Sequence, residues 1–239
     1  MVIDAKGIYY KDLNKMIKEC KDKDIVITNC LGQRYIGTGV LGKNITIIGT
    51  AGNASGAYLE KTNIRIKGNA QDAIGDTMND GSIVVEGSSG DATGYGARGG
   101  KIYIKGDAGY RAGIHMKAYK NKRPVLIIGG QAGSFLGEYQ AGGYIAALNL
   151  EEKKEYPFGP FCATGMHGGM MFIRTEKNLE LNNPMLITRE ADEEDMKKIK
   201  PYLEEYCELL GVDKKIIDDK YQIIIPNTKN PYKQLYTYN

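Results

Sequence analysis

The sequence predicts an all-β fold, a single-stranded parallel β-helix of about seven coils, from three patterns that share one period. Short apolar strands recur every 19 residues, a glycine closes each strand, and a second glycine follows seven residues later, with one longer interval of 24 residues before the last pair. The turn glycines of this frame are Gly49, Gly56, Gly68, Gly75, Gly87, Gly94, Gly106, Gly113, Gly130 and Gly137. A fixed period near 20 residues with one strand per period is typical of solenoid proteins, in which each repeat contacts only its neighbours.

The strands alternate apolar and other residues, and the clearest four occupy residues 45–47, 64–66, 83–85 and 102–104. At about 3.3 Å per extended residue, 19 residues trace roughly 60 Å, which suits one coil whose apolar side chains stack on those of the next coil. We predict insertions near 119–123 and within 149–161, where the period lengthens. The glycines are predicted at corners because a backbone with positive φ costs free energy in any residue that carries a Cβ.

Both ends of such a stack need a cover, because exposed strand edges invite association. Apolar residues at helical spacing predict a short N-terminal helix, with Asp12 as its N-cap, and a second helix over residues 192–210 that Pro201 kinks or splits and Gly211 ends. The predicted domains are therefore an N-terminal helical cap over 1–24, the β-helix over 25–175, and a mixed α/β C-terminal extension over 176–239.

The last residues form a tail that is rich in tyrosine, with Tyr232, Tyr236 and Tyr238. This tail can pack on its own chain or anchor to another protein, because tyrosine is rigid and amphipathic. We include these three tyrosines in a possible partner surface, together with Met166 and His167 of the distinctive string at residues 165–169.

Composition excludes several classes of partner. The formal charge of +3 and the pI near 8.5 are too mild to indicate nucleic acid or an anionic membrane. No secretory signal or membrane-spanning apolar run is evident, so we expect a cytoplasmic protein. The four cysteines are far apart without a CxxC pair, which argues against zinc or an iron–sulfur cluster held by this chain alone.

Two glycine strings, at residues 37–42 and 94–99, match the GxGxxG spacing of dinucleotide sites, but they lie a whole number of repeats apart and precede strands rather than helices. We attribute them to the repeat. The two histidines, His115 and His167, have no GxSxG serine to complete a hydrolase triad. We therefore predict no catalytic, cofactor-binding or metal-binding residue in this chain.

The turns carry a family resemblance. The strings Gly-Thr-Ala-Gly-Asn-Ala-Ser-Gly at 49–56 and Gly-Gln-Ala-Gly-Ser-Phe-Leu-Gly at 130–137 resemble the GXGXG domain. That domain is a right-handed β-helix found at the C-terminus of the large glutamate synthase subunit and, as a relative, in one subunit of formylmethanofuran dehydrogenase. The string at 158–169, with the acidic helix and the tyrosine tail, looks like the stand-alone glutamate synthase form of archaea.

The resemblance implies a non-catalytic scaffold subunit of a split glutamate synthase, an enzyme that passes ammonia from glutamine to 2-oxoglutarate. The partners would be a glutamine amidotransferase subunit and a synthase subunit that carries FMN and iron–sulfur clusters. The family's catalytic residues have no matching positions in this sequence. Two alternatives stay open: a scaffold like the related subunit of formylmethanofuran dehydrogenase, and an autonomous β-helix enzyme acting on polysaccharides or esters.

Overall fold

The computed structural model describes residues 1–152 and 155–227. It contains eleven strands, two α-helices and one 3-10 helix, Lys214–Ile217. The strands are β1 Val2–Asp4, β2 Asp24–Leu31, β3 Asn44–Thr50, β4 Asn63–Lys67, β5 Ser82–Val85, β6 Lys101–Ile104, β7 Val125–Ile128, β8 Ala141–Ala147, β9 Gly168–Arg174, β10 Leu186–Glu190 and β11 Tyr221–Pro226. The α-helices are α1 Tyr10–Glu19 and α2 Glu193–Leu210.

The predicted fold class, an all-β right-handed parallel β-helix, is wrong. The eleven strands form one mixed sheet in the order β1-β2-β3-β4-β5-β6-β7-β8-β9-β11-β10, and with its helices the fold is α/β, with 14% helix and 31% strand. The physical reason lies in the C-terminal segment. Its two strands pair antiparallel at the end of the sheet, and α2 packs on one sheet face, so this segment is part of the sheet architecture rather than an appendage.

The strand register predicted from the 19-residue period is confirmed in the parallel part of the sheet. Ile45 pairs with Ile64, Ile64 with Ile83, Ile83 with Ile102, and Ile102 with Leu126. The longer interval between β6 and β7 leaves this register unchanged, because the extra residues form an outward excursion closed by a bridge between Tyr119 and Lys122. Equivalent side chains therefore stack on one another from strand to strand.

The sheet has a separate apolar core on each face, since successive side chains of a strand point to opposite sides. Ile64 and Ile66 of β4 belong to a first core that extends along the parallel strands. Val84 of β5 and Tyr103 of β6 belong to a second core, which α2 covers with Leu203 and other apolar residues. The fold is thus a sheet with apolar packing on both faces.

Helix α1 covers the first core near β1 and β2, where its Leu13 and Ile17 are fully buried. The predicted N-cap was Asp12, but the helix begins earlier, with Tyr9 at the N-cap position and Asp12 inside the first turn. An acidic group in the first turn still interacts favourably with the helix dipole.

Helix α2 begins with a capping box, in which the Asp192 side chain accepts from the Asp195 N–H while the Asp195 side chain accepts from the Asp192 N–H. It ends at Gly211, whose left-handed conformation (φ 64°) confirms the predicted stop. Pro201 lies inside the helix, which continues without a break from Glu193 to Leu210. Pro201 therefore does not split the helix; the kink that was the alternative effect stays a prediction. The domain bounds 1–24, 25–175 and 176–239 stay a prediction.

Candidate partner-binding surface

The turns between strands stack as regularly as the strands do. Isolated parallel bridges join Ala51 to Ala70, Ala70 to Ser89, Ser89 to Ala108, and Ala108 to Ala132. Each turn thus sits directly against the equivalent turn of the next repeat. Any side chain that points outward from a turn belongs to a row running along the molecule.

Nine of the ten predicted turn glycines lie in these turns and Gly49 lies near the end of β3, and the ten are needed for two different reasons. Seven of them adopt φ between 61° and 150°, the conformation that the sequence predicted. Gly87, Gly106 and Gly130 do not. At Gly87 a Cβ would contact the Asn69 side chain and lie 2.8 Å from the Gly68 carbonyl oxygen, so the close approach of neighbouring backbones excludes a side chain there.

Acidic and amide side chains link the turns into a ladder. The backbone N–H of Asp91 donates to Oδ1 of Asp72 at 2.9 Å, and the N–H of Tyr110 donates to Oδ1 of Asp91 at 2.8 Å. Asn53 accepts from the N–H of Asp72 in the same way, at 3.4 Å. These side chains therefore link each turn to the equivalent turn of the next repeat.

Only part of the predicted partner surface is accessible. Met166 is 2% exposed and packs in the first core, so it does not contribute to a surface. His167 is half-buried, with Nδ1 3.1 Å from the Gly165 carbonyl oxygen. Tyr232, Tyr236 and Tyr238 lie outside the described residues.

A larger aromatic surface lies next to His167, on the outward side of consecutive turns. It consists of two short stacks of rings that we call the aromatic ridge, formed by Tyr95, His115 and Tyr139 and by Tyr110, Phe135 and Phe161. The His115 and Tyr139 rings stack at 5.2 Å with an interplanar angle of 13°, and the Phe135 and Phe161 rings stack at 4.9 Å. The ridge lies close to His167, since Gly165, two residues earlier in the chain, packs against the Tyr139 ring: a Cβ placed on Gly165 would touch that ring.

The rings of the ridge are open to solvent. The exposed fraction is 64% for Phe161, 50% for Tyr110, 41% for Tyr95 and 38% for Tyr139. Exposed apolar residues scattered singly are normal on a protein surface, whereas contiguous ones mark interaction sites. The ridge is therefore the strongest candidate for a binding surface among the described residues.

One ion pair lies between the two stacks. The Arg111 guanidinium lies over the Phe135 ring, 5.3 Å from its centroid, and Nε donates to Oε2 of Glu138 at 3.2 Å. Glu138 directly precedes Tyr139, so the pair connects one stack to the other. The Arg111 side chain is 54% exposed and that of Glu138 is 11% exposed, which leaves the cation as the accessible partner.

Sequence reasoning missed the ridge, although a signal was present. Arg111, Phe135 and Phe161 occupy the same turn position in successive repeats, with φ of 57°, 62° and 63°, and the Arg111 N–H donates to the Ser134 carbonyl while the Phe135 N–H donates to the Pro160 carbonyl. Because the residues in this row differ, a search for identical residues at a fixed period passes over them. Aligning the outward turn positions would have found the row.

Three of the four cysteine thiols are buried. Burial raises the pKa of Cys30, of Cys162 and of Cys207. They also lie apart, Cys30 on β2, Cys162 beside Met171 of β9, and Cys207 on α2. Within residues 1–152 and 155–227, no three His, Cys, Asp or Glu side chains are grouped so that they could share a metal ion.

No helix in the part of the chain that the structure describes combines the length and the apolar character needed to cross a bilayer.

The in-register strands, the stacked glycine turns and their side-chain ladder define a repeat protein. The GXGXG motif family matches residues 14–229, and the chain belongs to this family. It is also 46% identical over 251 aligned residues to a protein of Methanocaldococcus jannaschii named Uncharacterized protein MJ1350, with 99% of this chain and 96% of that protein covered. The family relates the chain to a domain of glutamate synthase.

Proposed function

We propose that this chain is a scaffold subunit of a split glutamate synthase, in which it aligns a glutamine amidotransferase subunit with an FMN-binding synthase subunit. The observation that carries the proposal is the family match over residues 14–229, which relates this part of the chain to a module of glutamate synthase. In this proposal the chain itself is non-catalytic and works in the cytoplasm, and the FMN and iron–sulfur clusters belong to the partner subunits.

The geometry supports a spacer. Strands that pair in register along an eleven-stranded sheet, with packed cores on both faces, make a body that holds its two ends at a fixed separation. Such a body suits the task of keeping two active sites at constant distance, because close-packed interiors have low compressibility. Cys30, Cys162 and Cys207 lie in separate parts of the fold, which supports placing thiolate-bound clusters on other subunits.

The test is reconstitution with the amidotransferase and synthase subunits encoded by the same genome. We expect the three proteins to co-elute, and we expect glutamine-dependent reductive amination of 2-oxoglutarate to fall at least tenfold when the chain is left out. Ammonia-dependent activity of the synthase subunit serves as the control, because that reaction does not need the amidotransferase aligned. Failure of the chain to bind either subunit, or its recovery with a molybdenum or tungsten subunit instead, would contradict the proposal.

A further inference from the structure

The aromatic ridge is the surface whose chemistry the fold leaves unexplained. Large apolar side chains usually contribute to a core, yet here four rings with exposed fractions of 38–64% follow one another on adjacent turns. Each of them contacts His115 or Phe135 of the ridge, with centroid separations between 4.9 and 6.1 Å. Aromatic residues together with arginine are the residues most enriched among those that dominate binding energy at interfaces.

The polar groups on the ridge define the chemistry of what binds there. The Asp91 side chain accepts the Tyr110 N–H, and the Glu138 side chain accepts from Arg111, so both carboxylates are engaged within the chain. Arg111 donates one hydrogen bond among the described residues, through Nε, and more than half of its side chain is exposed. The ridge therefore presents a hydrogen-bond donor fork beside aromatic faces, which matches a carboxylate flanked by apolar side chains.

This chemistry also discriminates among possible occupants. The described part of the chain ends near the ridge, because β11 runs antiparallel to β9 and ends close to Gly169. Residues 228–239 include Lys229 and Lys233 and no Asp or Glu, so this segment offers no acidic side chain for Arg111. A second copy docked ridge to ridge would bring another Arg111 and carboxylates that are already engaged within their own chain.

We infer that the aromatic ridge is the docking site for a partner subunit, through a segment in which an acidic side chain pairs with Arg111 while neighbouring apolar or aromatic side chains lie on Tyr139 and Phe161. This inference rests on the proposed function, which supplies the two candidate partners. It adds which face of the scaffold binds and what the bound segment contains.

The chain offers a matched control for the ridge. Tyr139 (φ 53°) and Phe161 (φ 63°) have counterparts at the same turn positions in earlier repeats, Tyr58 (φ 54°, 58% exposed) and Tyr35 (φ 61°, 43% exposed). Alanine at either pair meets the same left-handed backbone and removes an exposed ring. The ridge double variant is therefore Tyr139→Ala/Phe161→Ala, and the control variant is Tyr35→Ala/Tyr58→Ala. Each removes two exposed rings at the same two turn positions, and only the first alters the ridge.

The experiment measures binding of the immobilised full chain to the purified amidotransferase subunit and to the purified synthase subunit, with thermal unfolding of each variant recorded alongside. We expect one subunit to bind the ridge double variant about tenfold or more weakly than the parent chain, while the control variant binds normally. Arg111→Gln should weaken the same interaction and reduce its dependence on salt, and Arg111→Lys should restore part of it.

Each other outcome overturns the inference in a distinguishable way. Equal binding by parent and ridge variant removes the ridge as the docking site but leaves the proposed function intact. Binding of neither subunit by the parent chain removes the proposed function and the inference together. A dimer of the parent chain that the ridge variant abolishes identifies a second copy as the occupant, and a tenfold gain in partner binding on deleting residues 228–239 identifies the tail.

Discussion

At the scale of single residues, the turns show that backbone conformation and space are separate reasons for glycine. Gly75 and Gly94 occupy the same turn position in consecutive repeats, with φ of 70° and 74°. A Cβ on Gly75 would lie 2.5 Å from Cδ1 of Ile102, whereas a Cβ on Gly94 would meet nothing closer than 3.5 Å. The two sites therefore share the backbone strain and differ in steric crowding.

We predict that Gly94→Ala lowers the free energy of unfolding by about 1 kcal/mol, the cost of placing a Cβ on a left-handed backbone. Gly75→Ala should lower it by a further ~1–3 kcal/mol, because the core must also shift to admit the methyl group. Urea unfolding of both variants measures the difference. Equal losses would show that the Ile102 side chain moves aside at no cost.

At the scale of elements, α2 is held at its start by one buried carboxylate. Asp195 is 2% exposed, and it pairs with Arg189 at 2.6 Å and Lys198 at 3.0 Å besides its part in the capping box. Burial opposes ionisation of Asp195, but the hydrogen bonds from Arg189 and Lys198 outweigh it, so the pKa lies below the ordinary value of 3.8. The ionised carboxylate therefore stabilises the folded state.

We predict that Asp195→Asn lowers the free energy of unfolding by about 1–2 kcal/mol at neutral pH, through loss of the charge pairing with Arg189 and Lys198. Because the folded pKa is depressed, the contribution is fully present above about pH 4 and is lost as pH falls through the folded pKa. The difference in the free energy of unfolding between the parent chain and the variant should accordingly become smaller at acid pH. Glu194→Gln is the control, since Glu194 is 75% exposed and pairs only with Lys197 among the described residues; a pH-independent gap would refute the assignment.

At the scale of the whole molecule, one sheet carries both cores, so the two helices should stabilise a single folding unit. Leu13 of α1 and Leu203 of α2 are each fully buried, in the first and the second core. We predict that Leu13→Ala and Leu203→Ala each cost about 2–5 kcal/mol and lower the midpoint of the same cooperative transition. Calorimetry and far-UV circular dichroism should report coincident midpoints, and a separate early transition in either variant would show that the end segments unfold independently.

The same scale explains which parts of the fold the sequence could predict. The pairing of Ile45 with Ile64 follows from the local repeat, because strands with the same apolar pattern stack most favourably in register. The docking of α2 does not, since it depends on distant contacts such as the hydrogen bond from Arg65 to the Leu209 carbonyl, 144 residues apart. A helical period shows that a segment has an apolar face, but not which surface that face covers, and this is why the fold class was mistaken.

The candidate site, too, could be predicted from the sequence only in part. His167 was noticed because its neighbouring glycines are unusual, and it lies beside the ridge. The ridge could not be predicted from composition, because it forms only where side chains point outward from the turns. At Phe135 and Phe161 a left-handed backbone conformation sets that direction. Met166 was misplaced for the same reason, because its side chain points into the core.

The excursion between β6 and β7 has a practical consequence. Extra residues there leave the pairing of Ile102 with Leu126 intact, while Lys122 reaches back to Asp80 at 3.2 Å. An outward turn can thus absorb additional sequence without disturbing the stack on either side. A reporter such as a biotin-acceptor peptide or a fluorophore-binding loop, spliced into that corner, would give a handle for single-molecule distance measurements along the intact assembly.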